Sequence, residues 1–210
     1  MSRLRILGAA SALALAAIAG AAANSAPDKP VPKAPLANSL KPATAFSSIR
    51  NEKKRSLALF AEVGKVLQHP RCLNCHPAGE RPTQSESMTP HMPLVVRGDA
   101  GMGAPGLYCV TCHHQKNFDP AGVPGNPKWQ LAPPEMAWQG KTLGQICTQI
   151  KDKGRNGGRE MADLIHHMAE DELVGWGWHP GGQRASAPGT QQEFGALFKA
   201  WAESGAYCPA

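Results

Sequence analysis

Four stretches of the chain repeat apolar residues with the period of an amphipathic helix. Helices are predicted over about 47–68, from Thr142 onward, over about 160–172, and from Thr190 to Gly205. Thr142 and Thr190 each precede a Gln or Glu three positions later, which is the capping-box pattern. The predicted buried stripes are Leu57, Phe60, Ala61, Gly64 and Leu67; Leu143, Ile146, Cys147 and Ile150; Met161, Leu164, Ile165 and Met168; Phe194, Leu197, Phe198 and Trp201. A mainly α protein is therefore predicted.

The segments between these helices are long and loop-like. Residues 118–138 and 175–189 show neither the helix nor the strand period, and only Met92–Val96 hints at a strand. The chain has 22 Gly and 19 Pro, and aromatic residues make up only 6% of it. A loop-rich domain with few large side chains has a small core of its own. We therefore expect something else to fill part of the interior.

The first residues are typical of an export signal. Arg3 and Arg5 precede a short apolar run, and Ala21–Ala23 offers a small-residue cleavage site. Residues 1–23 are therefore predicted to be a signal peptide, which places the mature chain in the periplasm; an uncleaved membrane anchor is the alternative. Residues 24–46, rich in Pro, Ala, Lys and Ser, are predicted to be a flexible lead to one domain over 47–210.

The charge of the chain does not favour a nucleic-acid partner. Lys and Arg number 22 against 16 Asp and Glu, and loss of Arg3 and Arg5 with the signal lowers the formal net charge from +6 to +4. No run of basic residues is interleaved with aromatic ones. A protein that binds nucleic acid is therefore not expected.

Two short stretches, "RCLNCHPAGE" and "LYCVTCHHQK", carry the strongest chemical signal. Each contains C-x-x-C-H, the pattern for covalent attachment of c-type haem. Two thiols bond one porphyrin edge, and the adjacent histidine binds the iron as its proximal ligand. The residues predicted to hold haem 1 are Cys72, Cys75 and His76, and those predicted to hold haem 2 are Cys109, Cys112 and His113.

Two other uses of paired cysteines compete with haem attachment. Zinc bound by four cysteines, or a disulfide within each pair, would also account for two C-x-x-C pairs. Neither requires a histidine after each pair, and both pairs have one. Cys72 and Cys109 are 37 positions apart, fewer than a typical single-haem domain needs. Both haems are therefore expected in one shared shell, close enough to exchange electrons.

Each haem iron has a second axial position, and its occupant sets the potential and reactivity. His91, between the motifs, is the preferred distal ligand of haem 1, with Met88 and Met92 as rivals. On the third helix His167 lies nearer the apolar face than His166 does, so His167 is preferred for haem 2. The rivals of His167 are His166, His179, Met136 and Met168.

Two further pairs of residues have predicted roles. Cys147 and Cys208 belong to neither motif, and an even remainder in an exported chain predicts a disulfide. The alternative is two buried free thiols. Arg97 and Arg155 could neutralise haem propionates, although the solvated surface is the expected place for both.

The blocks of sequence around the motifs narrow the class of protein. They are "RCLNCHPAGERPTQ", "HMPLVVRG", "GLYCVTCHHQKN", "NPKWQLAPPEMAW", "LIHHMAEDELVGWGWHPG" and "QQEFGALFKAWAESGAYCP". With these blocks, residues 57–209 resemble exported dihaem cytochromes of the isoquinoline 1-oxidoreductase subunit type. The resemblance implies that a molybdenum hydroxylase donates the electrons. No molybdopterin or iron–sulfur pattern is present, so the chain is not expected to be the hydroxylase itself.

An electron carrier is the leading functional hypothesis. Two covalently bound haem c groups would relay electrons from a redox partner protein to a respiratory acceptor, without changing a substrate. The alternative is a haem enzyme of the dihaem peroxidase type, which needs one open distal site; such enzymes usually run longer, with one haem per domain. The predicted fold is mainly α and loop-rich, a compact dihaem c-type cytochrome with both haems in one shared shell.

Overall fold

The computed structural model describes residues 38–210. The predicted signal peptide, 1–23, and most of the predicted lead lie outside the described residues. The described chain is rich in helix, and its strands are very short. The α-helices are α1 Glu52–Leu67, α2 Pro70–Leu73, α3 Leu143–Lys151, α4 Met161–Glu170, α5 Glu172–Gly175 and α6 Gln191–Glu203. The strands form two antiparallel ribbons, β1 Thr83–Gln84 with β2 Thr89–Pro90, and β3 Gly103–Ala104 with β4 Leu107–Tyr108.

The three longest helices build the core. Helix α6 packs against both α1 and α4, and Trp201 on α6 is fully buried. The Trp201 ring centroid lies 4.7 Å from that of Phe60 on α1 and 5.0 Å from that of Phe198. The indole N–H of Trp201 donates to the carbonyl oxygen of Tyr207 at 3.0 Å, so the buried ring leaves no donor unpaired. Within residues 38–210, no helix has the length and apolar character to cross a membrane.

The helix predictions are confirmed, including two capping boxes. The hydroxyl of Thr142 accepts from the Gln145 N–H and the Gln145 side chain accepts from the Thr142 N–H; Thr190 and Glu193 repeat the arrangement at α6. Helix α1 begins later than predicted, because the Asn51 side chain caps it. The predicted stripe on α1 is partly wrong, since packing against α6 selects a different face. On α1 Ala61 is exposed, whereas Leu59, Val63 and Val66 are buried.

The strand suggested at Met92–Val96 is absent. The side chains of Met92 and Leu94 are 66% and 64% exposed. Among residues 38–210, no strand pairs with this segment; the backbone N–H of Arg97, just beyond it, donates instead to the Glu80 carbonyl oxygen. An apolar run without a pairing partner cannot complete a ladder of hydrogen bonds.

The described end of the predicted lead, 38–46, is packed on the helical domain. Leu40 and Phe46 are buried with the core, and Ala43–Phe46 forms one turn of 3-10 helix. The backbone N–H of Lys41 donates to the Glu62 carboxylate at 2.8 Å. The packed domain therefore extends further toward the N-terminus than the predicted boundary at 47.

The predicted link between Cys147 and Cys208 is confirmed. Their sulfur atoms lie at disulfide distance, 2.01 Å apart, with a Cα–Cα separation of 5.6 Å. The bond joins α3 to the segment that follows α6. It therefore ties the C-terminus to the helical core.

Candidate functional site

The first C-x-x-C-H motif follows α1 almost directly. The side chain of His69 caps α2, and Pro70 occupies the start of that helix, where its missing N–H costs nothing. This sharp turn places Cys72 and Cys75 beside the end of α1. Both cysteines and His76 line a cavity there.

The imidazole of His76 is held in one orientation by two contacts. Its Nδ1 lies 2.7 Å from the carbonyl oxygen of Met136. Because a carbonyl only accepts, Nδ1 carries the proton and the lone pair of Nε2 is free for a metal. Trp138 stacks on the ring, with centroids 3.5 Å apart and planes within 4°. Burial lowers the pKa of His76 to about 4, although the bond to Met136 opposes this, so the ring is neutral at neutral pH.

The second motif is built differently but repeats the same histidine geometry. The β3–β4 ribbon leads into one turn of 3-10 helix over Cys109–Thr111. Nδ1 of His113 lies 2.7 Å from the carbonyl oxygen of Pro124. Trp129 stacks on His113, with centroids 4.6 Å apart and planes within 14°. Burial lowers the pKa of His113, so this ring also offers a neutral Nε2.

No disulfide joins the cysteines within either motif in the structure. Burial raises the pKa of Cys72 to about 12 and that of Cys75 to about 11. The pKa of Cys109 is raised by partial burial, whereas Cys112 is exposed. By exposure, Cys72, Cys75 and Cys109 are all half-buried, and Cys112 is the exposed member of the four.

The cavity beside the first motif is large and mostly apolar. Its empty space, counted out to the mouth and including open solvent there, is about 1150 Å³. Its apolar walls include Leu67, Leu164, Met168, Trp178 and Phe194. Its polar lining includes Arg71, Asn156, Arg159 and His167.

The two predicted distal histidines, His91 and His167, each lie near the motif opposite to the one predicted. We call these two residues the second histidines. His167, predicted to serve the second motif, lines the cavity of the first motif together with His76. His91, predicted to serve the first motif, lies beside His113, with ring centroids 5.9 Å apart. The cause is the fold of the intervening chain: the β1–β2 ribbon turns back, and the His91 N–H donates to the Pro82 carbonyl oxygen. Nearness in sequence to His76 therefore does not bring His91 to it.

Both second histidines also direct Nδ1 at an oxygen atom. Nδ1 of His91 lies 3.1 Å from the Pro93 carbonyl oxygen, and Nδ1 of His167 lies 3.3 Å from a carboxylate oxygen of Asp171. Each therefore has Nε2 available. Metal–imidazole bonds are about 2 Å long, so two imidazoles on opposite sides of one ion have centroids about 6 Å apart. The spacing of His91 and His113 is compatible with an ion between them.

The methionine rivals near the first cavity differ in position. Met136 and Met168 are both buried and line the cavity. The backbone carbonyl of Met136 holds His76, which places this residue behind His76 rather than across the cavity from it. Met168 is adjacent in sequence to His167, so it is the methionine that competes with His167.

None of the other four rivals lines the cavity of the first motif. Met88 is partly buried against the helical core, and the Met92 sulfur accepts from Arg81. His166 is exposed and pairs with Glu170 at 3.1 Å. His179 is an exposed loop residue.

Several residues of the site have no clear signal in the sequence. Trp129 stacks on His113 and also lines the cavity of the first motif, so one side chain contacts both places. The Trp138 Nε1–H is buried without a hydrogen-bond partner in the part of the chain described. Arg71 is buried and donates from Nε to the Ala185 carbonyl oxygen at 2.8 Å. The one sequence feature that could have indicated these residues is their place within the blocks "RCLNCHPAGERPTQ" and "NPKWQLAPPEMAW".

Arg97 and Arg155, the two arginines considered as propionate partners, are both expected from the sequence at the solvated surface. This prediction is wrong for Arg97. Its side chain is 3% exposed and donates to the carbonyl oxygens of Pro77 and Gly79, which closes the loop after His76. Arg155 is exposed, as expected. Arg97 thus fixes the backbone that directly follows the first motif.

Comparison with known proteins identifies no relative. No protein-family model matches the chain. A search of curated proteins finds no match, and a search of solved structures finds none either. Among residues 38–210, no three His, Cys, Asp or Glu side chains are gathered so as to hold a metal ion by themselves. The resemblance to isoquinoline 1-oxidoreductase subunits stays a prediction from the sequence blocks.

Proposed function

We propose that the protein is a periplasmic dihaem c-type cytochrome that relays electrons between redox partners. The observation that carries the proposal is the repeated histidine geometry. Each C-x-x-C-H motif ends in a histidine whose Nδ1 donates to a backbone carbonyl, and a second histidine lies near each. Haem c supplies one-electron chemistry when bound; the chain supplies attachment, axial ligands and shielding from water.

The residues around the first motif suit a haem. Cys72 and Cys75 would form the two thioether bonds, with His76 as the proximal ligand and His167 as the distal one. The cavity is mostly apolar, as a porphyrin requires, and it is lined by Trp138, whose buried N–H has no partner among the described residues. A propionate would give that donor an acceptor. Arg71, which also lines the cavity, already forms an ion pair with Glu86.

The second motif would hold its haem nearer the surface. Cys109 and Cys112 would form the thioether bonds, with His113 proximal and His91 distal. Large apolar side chains around this motif are exposed, and a porphyrin would cover part of them. They are Met102, Leu107, Tyr108, Val110 and Phe118.

Contacts between the two motifs support one shared shell. Trp129 packs on His113 and faces the cavity of His76, and Trp176, which also lines that cavity, lies edge-on to Trp129 with centroids 4.9 Å apart. Cys109 is near enough to Cys75 for its charge to raise the pKa of the Cys75 thiol. A chain with two haems this close would be suited to internal electron exchange.

The second histidines favour a carrier over a peroxidase. A dihaem peroxidase needs one open distal position, whereas His167 and His91 are candidates to fill both. The function we propose is therefore electron transfer without conversion of a substrate. A molybdenum hydroxylase as donor and a respiratory protein as acceptor are proposed from the sequence resemblance alone.

The direct test is expression with the machinery for c-type maturation. Intact-mass analysis should give the polypeptide plus two haems, and the reduced protein should show the sharp α band of ferrous c-type haem. The double variant Cys109→Ala/Cys112→Ala should carry one haem, which is the matched control for the second motif. A purified chain that carries no haem under these conditions, or one that takes up zinc through its cysteines instead, would sink the proposal.

A further inference from the structure

The partner of His167 differs in charge from those of the other three histidines. His76, His113 and His91 direct Nδ1 at the neutral carbonyl oxygens of Met136, Pro124 and Pro93. Of these four histidines, His167 is the one that directs Nδ1 at a carboxylate, that of Asp171, at 3.3 Å. The two side chains are each 28% exposed, so solvent only partly screens them.

The carboxylate of Asp171 is fixed by contacts that do not involve His167. Its Oδ1 atom accepts from the backbone N–H groups of Leu173 at 2.8 Å and Val174 at 3.2 Å, and so caps α5. The backbone carbonyl of Asp171 accepts from the Gln191 side chain on α6 at 2.9 Å. The start of α5 therefore aims the remaining oxygen, Oδ2, at His167.

The local contacts also keep Asp171 charged. Burial by itself would raise the pKa of Asp171, but the bonds from Val174 and Leu173 and the nearness of His167 outweigh burial and hold it below its usual value. Arg159, which lines the same cavity, is the cation that acts on His167 in the opposite sense. The geometry thus places a carboxylate oxygen behind the imidazole of His167 as its acceptor.

We infer that Asp171 is a positioning residue that fixes the orientation of His167 and makes it a stronger electron donor to the iron of the first site. This inference rests on the proposed function. A carboxylate that accepts from Nδ1 raises the basicity of a ligating imidazole, and removing such a partner typically weakens metal binding about 10- to 100-fold. A more basic ligand stabilises ferric over ferrous iron, so Asp171 lowers the reduction potential of that site.

The test is potentiometry of Asp171→Asn in the holoprotein. Asparagine keeps an oxygen that can cap α5 but has no second acceptor for His167. If the preference for ferric iron falls about tenfold, one haem potential rises by about 59 mV and the other is unchanged. Serine is also a preferred N-cap residue, so Asp171→Ser should keep the cap of α5 and give the same rise in potential. Agreement between the two variants would show that the rise does not come from a defect peculiar to asparagine.

The chain offers a matched control one residue away. Glu170 pairs with His166 at the same i,i+4 spacing, at 3.1 Å, but both side chains are about two-thirds exposed and neither lines the cavity. Glu170→Gln removes the same charge and should leave both potentials unchanged. Equal shifts in the Asp171 and Glu170 variants, or no shift in either, would overturn the inference. Failure of the wild-type chain to bind haem would instead refute the proposed function.

Discussion

Removal of the Cys147–Cys208 bond tests the part of the fold that holds the C-terminus. The two cysteines are 61 positions apart, and a cross-link closing a loop of that length stabilises the folded state by about 4 kcal/mol in the chain-entropy model. With an m-value of about 2 kcal/mol/M, the double variant Cys147→Ala/Cys208→Ala should unfold at a urea concentration about 2 M lower than the wild type. The measurement is urea unfolding followed by far-UV circular dichroism.

The single variants separate the cross-link from the packing of its sulfur atoms. Cys147 is fully buried and Cys208 is only partly so. Cys208→Ala leaves the buried sulfur in place, yet it should lose nearly as much stability as the double variant, because either change breaks the same bond. Losses that add between the two single variants, or a double variant less than about 1 kcal/mol below wild type, would refute this reasoning.

Three further predictions concern separate parts of the chain. A Cβ at Gly125 would lie 2.6 Å from the His114 carbonyl oxygen, so Gly125→Ala should displace the loop after the second motif. Intact-mass analysis should then find one haem per chain instead of two, and a variant that retains both haems would contradict this. Thr190→Ala removes the cap of α6 and should cost about 1 kcal/mol in urea unfolding, whereas an unchanged midpoint would count against the cap. In the haem-free chain, iodoacetamide at pH 8 should modify Cys72 and Cys75 more slowly than solvent-exposed cysteines. The thiolate is the reactive form, and burial raises the pKa of these thiols to about 12 and about 11. The labelling rate should therefore rise as the pH approaches those values, and fast labelling at pH 8 would contradict the raised pKa.

The helices could be predicted because their signals are local. A capping box such as that of Thr142 and a stripe such as that on α6 need only a few neighbouring residues. The disulfide could be predicted because Cys147 and Cys208 were the cysteines left outside the motifs. The face of α1 was harder, because contact with α6 rather than the average of the pattern decides that Val63 is buried and Ala61 is exposed.

The partners of the motif histidines could not be predicted from spacing. His91 lies 15 positions after His76, yet the β1–β2 ribbon and the following loop carry it to His113. The helix periodicity correctly turned His167 rather than His166 toward the interior, but it carries no information on which motif lies opposite. The stacking of Trp129 and Trp138 on the two motif histidines likewise depends on chain that folds back from a distance.

Apolar residues in a polar segment were also missed. Leu40 and Phe46 lie in a stretch rich in Pro, Ala and Lys, so no periodicity marks them. Both side chains are buried because they pack individually into the hydrophobic core. The Glu62 carboxylate on α1 also accepts from the Lys41 N–H, which holds this segment against the helix.

The central claim is that two haems are held, each between a motif histidine and a second histidine. Low-temperature electron paramagnetic resonance of the oxidised holoprotein tests it most directly. We predict two low-spin ferric signals of the bis-histidine type, with one of them lost or converted to high spin in His167→Ala and the other in His91→Ala. A high-spin ferric signal in the wild type, a histidine–methionine signal at either site, or spectra unaffected by both substitutions would contradict the account.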